Sequence, residues 1–344
     1  MKKKIYILFI VFLIFFSYGL VISQFDLKII VDELKPKNPE GFFDYRGVVN
    51  VHSIHSTGSG SVQKIIRDAQ EEGLDFISIA DFNSAESTNE TQGYHNNLFV
   101  FFDKEYSYLN SRLINYFSKE DSLNIGPGRQ QVFIADSLEK LTRDKKSGLW
   151  VLSHPFQRGY EWQGNYPAGL DGIEVLNLKS IWENYWLKST PSFLWTLFVY
   201  PFNSDLAFIR LFEYPENEIQ LWDTLNKTRK TLGFAGSDAE EKILLPNKQY
   251  IKIPKYKDIF QIANNHVLLE SELTGDPLSD EKKLRNALKS GNFYFSFDLL
   301  ANPKGFASYI EDSNGNRHLM GSEIKYKPGQ VLHIILPQKP FVPF

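Results

Sequence analysis

Seven polar residues stand at or just after segments that read as short buried strands: Asn50, His52, Asp81, Glu105, His154, Asp238 and Glu240. Imidazole and carboxylate together are the donor set that Zn, Mn or Fe would take. Asn50/His52 and Asp238/Glu240 are each two residues apart, which on extended backbone points both members to one face. Such a pair can ligate one ion or bridge two. An ion held there would polarise a phosphoryl oxygen and lower the pKa of bound water. The chain contains no Cys, which excludes disulfides, thiolate zinc, iron–sulfur clusters and a Cys nucleophile, and it has only seven His. Taken singly, each candidate has an ordinary reading. His52 reads as a hydrogen-bonded core residue, Glu105 after Asp103 and Lys104 as a solvated charge, and Gly236-Ser237-Asp238 as a turn. Their common position at strand ends is what points to a site.

Other chemistries find less support. No Gly-x-Ser-x-Gly elbow is present, against a serine hydrolase. The Ser/Gly stretch Ser56–Ser61 lacks the Gly-Lys-Ser/Thr of a P-loop and reads as a connection. His95, His266, His318 and His333 sit in loop-like or C-terminal β contexts and read as structural or surface residues. His55 lies near the first candidates without a clear pattern around it.

The elements that must position these residues alternate strand and helix. Gly47–His52 reads as a strand. Val62, Ile65, Ile66 and Ala69 then follow helical spacing, with Ser61 as N-cap and Gly73 at the C-terminal end. Leu74–Ala80 is the next strand, making a βαβ unit with parallel strands. Strand signals recur at Leu98–Phe102, Gln131–Ala135, Leu149–Leu152, Gly172–Leu176 and Thr231–Ala235, with helices expected over Ser137–Lys146, Gln220–Lys230 and Leu284–Ser290. This pattern predicts an α/β fold with a closed or nearly closed β/α barrel, in which chemistry sits at the C-terminal ends of strands. Beyond Gly291, Phe293–Phe297, Phe306–Ile310, Ile324–Tyr326 and Val331–Leu336 predict a small β module. The expected organisation is residues 1–23 as anchor or signal, 24–44 as linker, 45–291 as barrel and 292–344 as β module.

The 344 residues carry 38 Lys+Arg against 41 Asp+Glu, so no overall field attracts nucleic acid. The 42% hydrophobic content is that of a folded chain. Lys2, Lys3 and Lys4 precede an apolar run from Ile5 to Ile22, broken only by Ser17, Tyr18 and Gly19. At about 1.5 Å per residue the run measures about 27 Å and can span a bilayer, with the Lys cluster on the cytoplasmic side and the domain outside. A cleaved signal with its apolar region over Ile5–Phe16 and a site at Val21-Ile22-Ser23 is the rival, giving a secreted domain. The aromatic stretch Ile181–Phe202 fits ordinary packing, a membrane surface or a subunit contact.

In this order the motifs resemble the PHP (polymerase and histidinol phosphatase) family of metal-dependent phosphoesterases, over most of residues 46 to 300. Gly47-Val48-Val49-Asn50-Val51-His52-Ser53 is similar to its His-x-His-Ser motif. Gly73 through Asn83 is similar to its Gly-Leu-Asp-Phe…Thr-Asp-His-Asn segment. Glu105 stands where that family has a bridging Glu. Ser153-His154-Pro155 matches its His-Pro motif, and Gly236-Ser237-Asp238-Ala239 its Gly-Ser-Asp-Ala-His. The resemblance implies a distorted seven-stranded β/α barrel, up to three Mn, Zn or Fe ions, and phosphoester hydrolysis by metal-bound hydroxide. It assigns ligand roles to His52, Glu105, His154 and Asp238. Family His positions are occupied by Asn50, Phe82 and Glu240, and Asn110-Ser111-Arg112 lies where a further His is expected. The expectation is therefore fewer than three ions, or none. Glu105, His154 and Asp238 are the catalytic candidates, and Asn50, Asp81 and Glu240 the auxiliary ligands. An inactive relative that binds a small ligand or a partner is the alternative.

Overall fold

A computed structural model describes residues 2–25, 41–83, 92–118, 126–139, 148–244 and 249–337. Helix α1 (Lys2–Ile22) precedes β1 (Phe43–Val51), α2 (Val62–Glu71), β2 (Phe76–Phe82), β3 (Gly93–His95), β4 (Leu98–Tyr108), β5 (Ser111–Tyr116), α3 (Pro127–Glu139), β6 (Leu149–Ser153) and β7 (Gly172–Asn177). Then come α4 (Leu178–Lys188), α5 (Thr190–Val199), α6 (Ser204–Ile209), α7 (Glu216–Asn226), β8 (Leu232–Ala239), the short ladder of β9 (Ile243–Leu244) with β10 (Tyr250–Ile251), and α8 (Tyr256–Phe260). The chain continues through β11 (Asn264–Leu269), α9 (Pro277–Ser290), β12 (Phe293–Ser296), β13 (Ala307–Glu311), β14 (Arg317–Leu319) and β15 (Val331–Ile335).

Strands β1, β2, β4, β5, β6, β7 and β8 form a ring that closes through the β8–β1 pairing. Its neighbours are parallel except at β5, which runs antiparallel to both β4 and β6. The cause is local. Tyr108 pairs with Ser111, so only Leu109 and Asn110 link β4 to β5, and Leu109 takes a left-handed backbone. Two residues can close a hairpin but cannot carry a crossover to a parallel strand. Outside the ring, β11 pairs antiparallel with the first half of β1, and β12 with β11. The last three strands form a separate antiparallel sheet.

Alternation along the strands stacks the interior. Phe76, Phe99, Phe101, Tyr116, Val151 and Phe234 form one fully buried cluster. The same face of β4 continues through Asp103 to Glu105. Asp103 accepts from Ser78 Oγ and from the Phe117 amide, both at 2.6 Å. Burial raises its carboxyl to about 6. A column of aromatic side chains thus underlies the polar end of the barrel.

Several expectations need correction. Gln131–Ala135 lies inside helix α3, not in a strand; a five-residue apolar run has no period long enough to tell the two apart. Strands β5 and β11 lie where the apolar pattern predicts no strand. Phe293–Ser296, read as part of the C-terminal module, pairs with β11 instead. No strand forms at Ile324–Tyr326, and β14 lies earlier. Ser61 does cap α2, its side chain accepting from the Lys64 amide at 3.2 Å, and Gly73 is left-handed beyond it. Residues 26–40 of the expected linker, 140–146 of the expected second helix and the tail from 338 lie outside the described residues.

Candidate functional site

Four strand ends deliver four donors to one point. His52 follows β1, Glu105 lies on β4, His154 follows β6 and Asp238 lies on β8. His52 Nε2 is 3.2 Å from Asp238 Oδ1 and 3.8 Å from Glu105 Oε2. His154 Nε2 is 3.0 Å from Asp238 Oδ2 and 3.9 Å from Glu105 Oε1. All four side chains are buried. Asp238 Oδ2 and Glu105 Oε1 nevertheless have no hydrogen-bond partner, and neither has His52 Nδ1. Asp238 Oδ2 is met only by the charge of the His154 imidazole, at 3.0 Å.

The backbone is bent to make this convergence. Asn50, His154 and Asp238 are left-handed, with φ of 60°, 53° and 45°. Each such non-glycine residue costs on the order of 1–3 kcal/mol, so the surrounding fold must hold it there. At Asn50 and Asp238 the register of β1 and β8 shifts. The simple two-residue geometry expected for Asn50/His52 and Asp238/Glu240 is therefore broken at both pairs. Ser237 Oγ bonds the carbonyls of Val49 and Asn50 at 3.0 and 2.9 Å, pinning one irregular strand to the other. Gly236 is needed for a different reason: a Cβ there would stand 1.9 Å from Glu174 Oε1. In Gly236-Ser237-Asp238, glycine makes room, serine fixes the bulge and aspartate supplies the carboxylate.

A second layer orients His154. Its Nδ1 lies 2.7 Å from Ser180 Oγ, which donates its one proton to Gln157 Oε1 at 2.6 Å. Ser180 must therefore accept from Nδ1–H. Nε2 is then the ring nitrogen that faces the centre, as in a metal-ligating imidazole. Asn177 caps α4 by accepting from the Ser180 amide at 2.9 Å, which places that hydroxyl.

The electrostatics follow from burial and crowding. Burial alone would lower the His52 imidazole, but Asp238 and Glu105 outweigh it and raise it to about 9. His154 is raised against the same burial, by Asp238 first and Glu105 next. Burial raises the Glu105 carboxyl. Burial would also raise Asp238, yet Lys179 and the two imidazoles hold it well below the usual carboxylate range. Lys179 Nζ sits 2.7 Å from Glu240 and 3.8 Å from Asp238.

The remaining candidates are engaged elsewhere. Asn50 Nδ2 donates to Glu174 at 2.9 Å. Asp81 accepts from the Ser53 amide, Ser53 Oγ and Ser56 Oγ at 2.7, 2.6 and 2.5 Å, so it braces the loop after β1. Glu240 pairs with Lys179. Sequence reasoning gave no role to Glu174, Lys179, Ser180 or Gln157. The first three lie within six residues of the end of a strand already recognised, and extending the strand-end rule into the next helix turn would have found them. Arg112, which stands where the resembled pattern has a further His, reaches the mouth because β5 is reversed. Its guanidinium lies 3.7 Å from the Phe82 ring centre and 4.9 Å from that of Tyr160. Nη1 is buried without a partner.

A cavity of ≈ 50 Å³ remains between Glu105, His154, Asp238, Arg112 and Lys179. Among the described residues no group of three or more His, Cys, Asp or Glu is arranged so that it could hold a metal ion. The donor types that meet here, two imidazoles and two carboxylates, are nevertheless those a divalent cation takes.

None of the family models compared matches the chain, and no curated protein does. Solved structures are similar in chain course. One is a two-domain protein of Bacteroides vulgatus containing a predicted PHP-like metal-dependent phosphoesterase; it shares 12% identity with a TM-score of 0.47, over 89% of this chain and 90% of its own. Another is PsfC from Pseudomonas syringae, at 11% identity and a TM-score of 0.43, over 74% of this chain and 91% of its own.

Proposed function

We propose that this chain is a metal-dependent phosphoesterase with a reduced, single-ion site, tethered by α1 to a membrane with the barrel on the far side from the Lys cluster. The observation that carries it is the meeting of His52, Glu105, His154 and Asp238 with carboxylate oxygens left unpartnered. These are the residues to which the motif resemblance assigns ligand roles. A Zn, Mn or Fe ion held by them would supply Lewis-acid polarisation of a phosphoryl oxygen. The protein's own groups do the rest. Ser180 keeps the His154 ring in one tautomer. Arg112, with a free Nη1, and Lys179 present positive charge to the dianionic phosphate of a monoester. Phe82 and Tyr160 wall the mouth and restrict water around the guanidinium.

A metal-free binding protein is the second reading. It is favoured by Lys179, which already pairs with Glu240 at 2.7 Å and stands 3.8 Å from Asp238, where a cation would sit. Metal analysis of the full-length chain after incubation with Mn or Zn, with hydrolysis of p-nitrophenyl phosphate in parallel, separates the two. One ion per chain and metal-dependent turnover support the enzyme. Absence of bound metal at micromolar supply sinks it. The tether is checked by the N-terminal mass of the membrane fraction: a chain beginning after Ser23 would show a cleaved signal.

A further inference from the structure

Helix α1 is apolar and long enough to cross a bilayer, and in this structure it does not stand alone. Its last two turns pack on α5 and the turn that follows. Phe15 meets Phe198 edge-on at 3.7 Å and Phe202 at 5.5 Å between ring centres. Trp195 Nε1 donates to Tyr18 Oη at 3.2 Å. Asn203 Nδ2 donates to the Ile22 carbonyl at 3.1 Å, closing the end of α1. A Cβ at Gly19 would stand 2.4 Å from the Phe202 ring. The break in the apolar run at Tyr18-Gly19 is therefore a docking notch.

Depth follows from helix geometry. From Phe15 to Ile22 is seven residues, about 10 Å along the axis. A 21-residue helix is about 31 Å long, close to the roughly 30 Å hydrocarbon layer. If α1 spans, its final 10 Å lies at or inside the lipid boundary, and so does whatever packs beside it. The partner segment has the composition for that place. Residues 189–204 contain no Asp, Glu, Lys or Arg. Lys188 precedes the stretch, and Arg210 lies over the Trp195 ring. Exposed apolar side chains cluster here too: Trp186 is 42% exposed, Leu187 62% and Leu194 52%. An aromatic, uncharged segment bounded by Lys188 and Asp205, with Arg210 folded back over Trp195, is of the kind that sits at a headgroup boundary.

We infer that α5 and the Tyr200–Phe202 turn form a membrane foot, lying in the interface of the same bilayer that α1 spans. The barrel is then held against lipid at two places, not hung on a flexible tether. This inference rests on the anchor reading above, and the experiment separates the two failures. The chain has no Cys, so single-cysteine labelling is clean. Full-length Leu194→Cys, Leu13→Cys and Tyr326→Cys proteins would each carry an environment-sensitive fluorophore. They are reconstituted in phosphatidylcholine/phosphatidylglycerol vesicles with or without spin-labelled lipid. Tyr326, 85% exposed on the C-terminal module, is the aqueous control. The expected result is several-fold stronger quenching at Leu194 and Leu13 than at Tyr326. Quenching at Leu13 with Leu194 behaving like Tyr326 overturns the foot and leaves the anchor standing. No quenching at either position overturns the anchor and the foot with it.

Discussion

Two buried histidine–carboxylate clusters in this molecule use the same residue types to opposite ends. On β11, outside the ring, His266 donates through Nδ1 to Asp44 at 2.8 Å and through Nε2 to Asp298 at 3.2 Å. Tyr294 Oη adds a bond to Asp44 at 2.7 Å, and Ser296 one to Asp298. Every ring nitrogen is used, and the imidazole lies stacked on Tyr294. At the barrel mouth, His52 and His154 share Asp238 and Glu105, yet oxygens on both acids stay without a partner. A saturated cluster has nothing left to offer a ligand and holds strands together. An unsaturated one, on strained backbone, holds free valence at a desolvation cost that a bound cation would relieve.

The comparison can be broken by substitution. The largest effect is expected for Asp238→Ala, with at least about a 10³-fold loss of phosphoester hydrolysis and loss of bound metal. The same change at Asp44 should leave turnover per folded molecule intact. Equal loss at both would erase the distinction. Next, His266→Ala removes the imidazole between Asp44 and Asp298 and should cost about 3 kcal/mol in denaturant unfolding.

That pair also has a pH signature. Burial would lower His266, but Asp298 and Asp44 raise it to about 9. A folded-state value above the unfolded 6.5 means stability that is full below pH 6.5 and lost as pH rises through 9. The span is worth about 3 kcal/mol. The difference between wild type and His266→Ala should therefore shrink over that window; a difference constant with pH would show a neutral imidazole.

Smaller effects probe the mouth. Ser180→Ala should weaken metal binding about 10–100-fold by releasing the His154 ring, with Tm little changed. Unchanged affinity would mean the ring is fixed without it. Arg112→Ala should raise KM for a phosphomonoester several-fold and leave kcat close to wild type, because the guanidinium faces the mouth and not the donors. A fall in kcat alone would place it in the transition state.

Much of the site was legible because strand ends announce themselves in a β/α pattern. His52, Glu105, His154 and Asp238 follow short apolar runs, and parallel strands bring such ends to one side of the sheet. What the sequence does not show has a common origin. Asp81 stands at a strand end like the others, but Ser53 and Ser56 reach it first. Asn50 stands at the end of β1 but donates to Glu174. Phe293–Ser296 alternates like an independent strand, and its partner lies on β11. In each case the deciding contact comes from a segment far away in sequence.

By itself the sequence determined which residues were available and in what order: an apolar N-terminal helix, alternating strands and helices, donors at strand ends, and no thiol. Those are local properties, written in residue type and period. Only the tertiary structure decided that the ring closes through β8 and β1, that β5 is reversed and carries Arg112 to the mouth, and that Asn50 and Asp238 sit on bulges. It alone set α5 against α1. Register and closure depend on pairing between segments up to two hundred residues apart, and a one-residue shift in either strand re-aims every side chain beyond it.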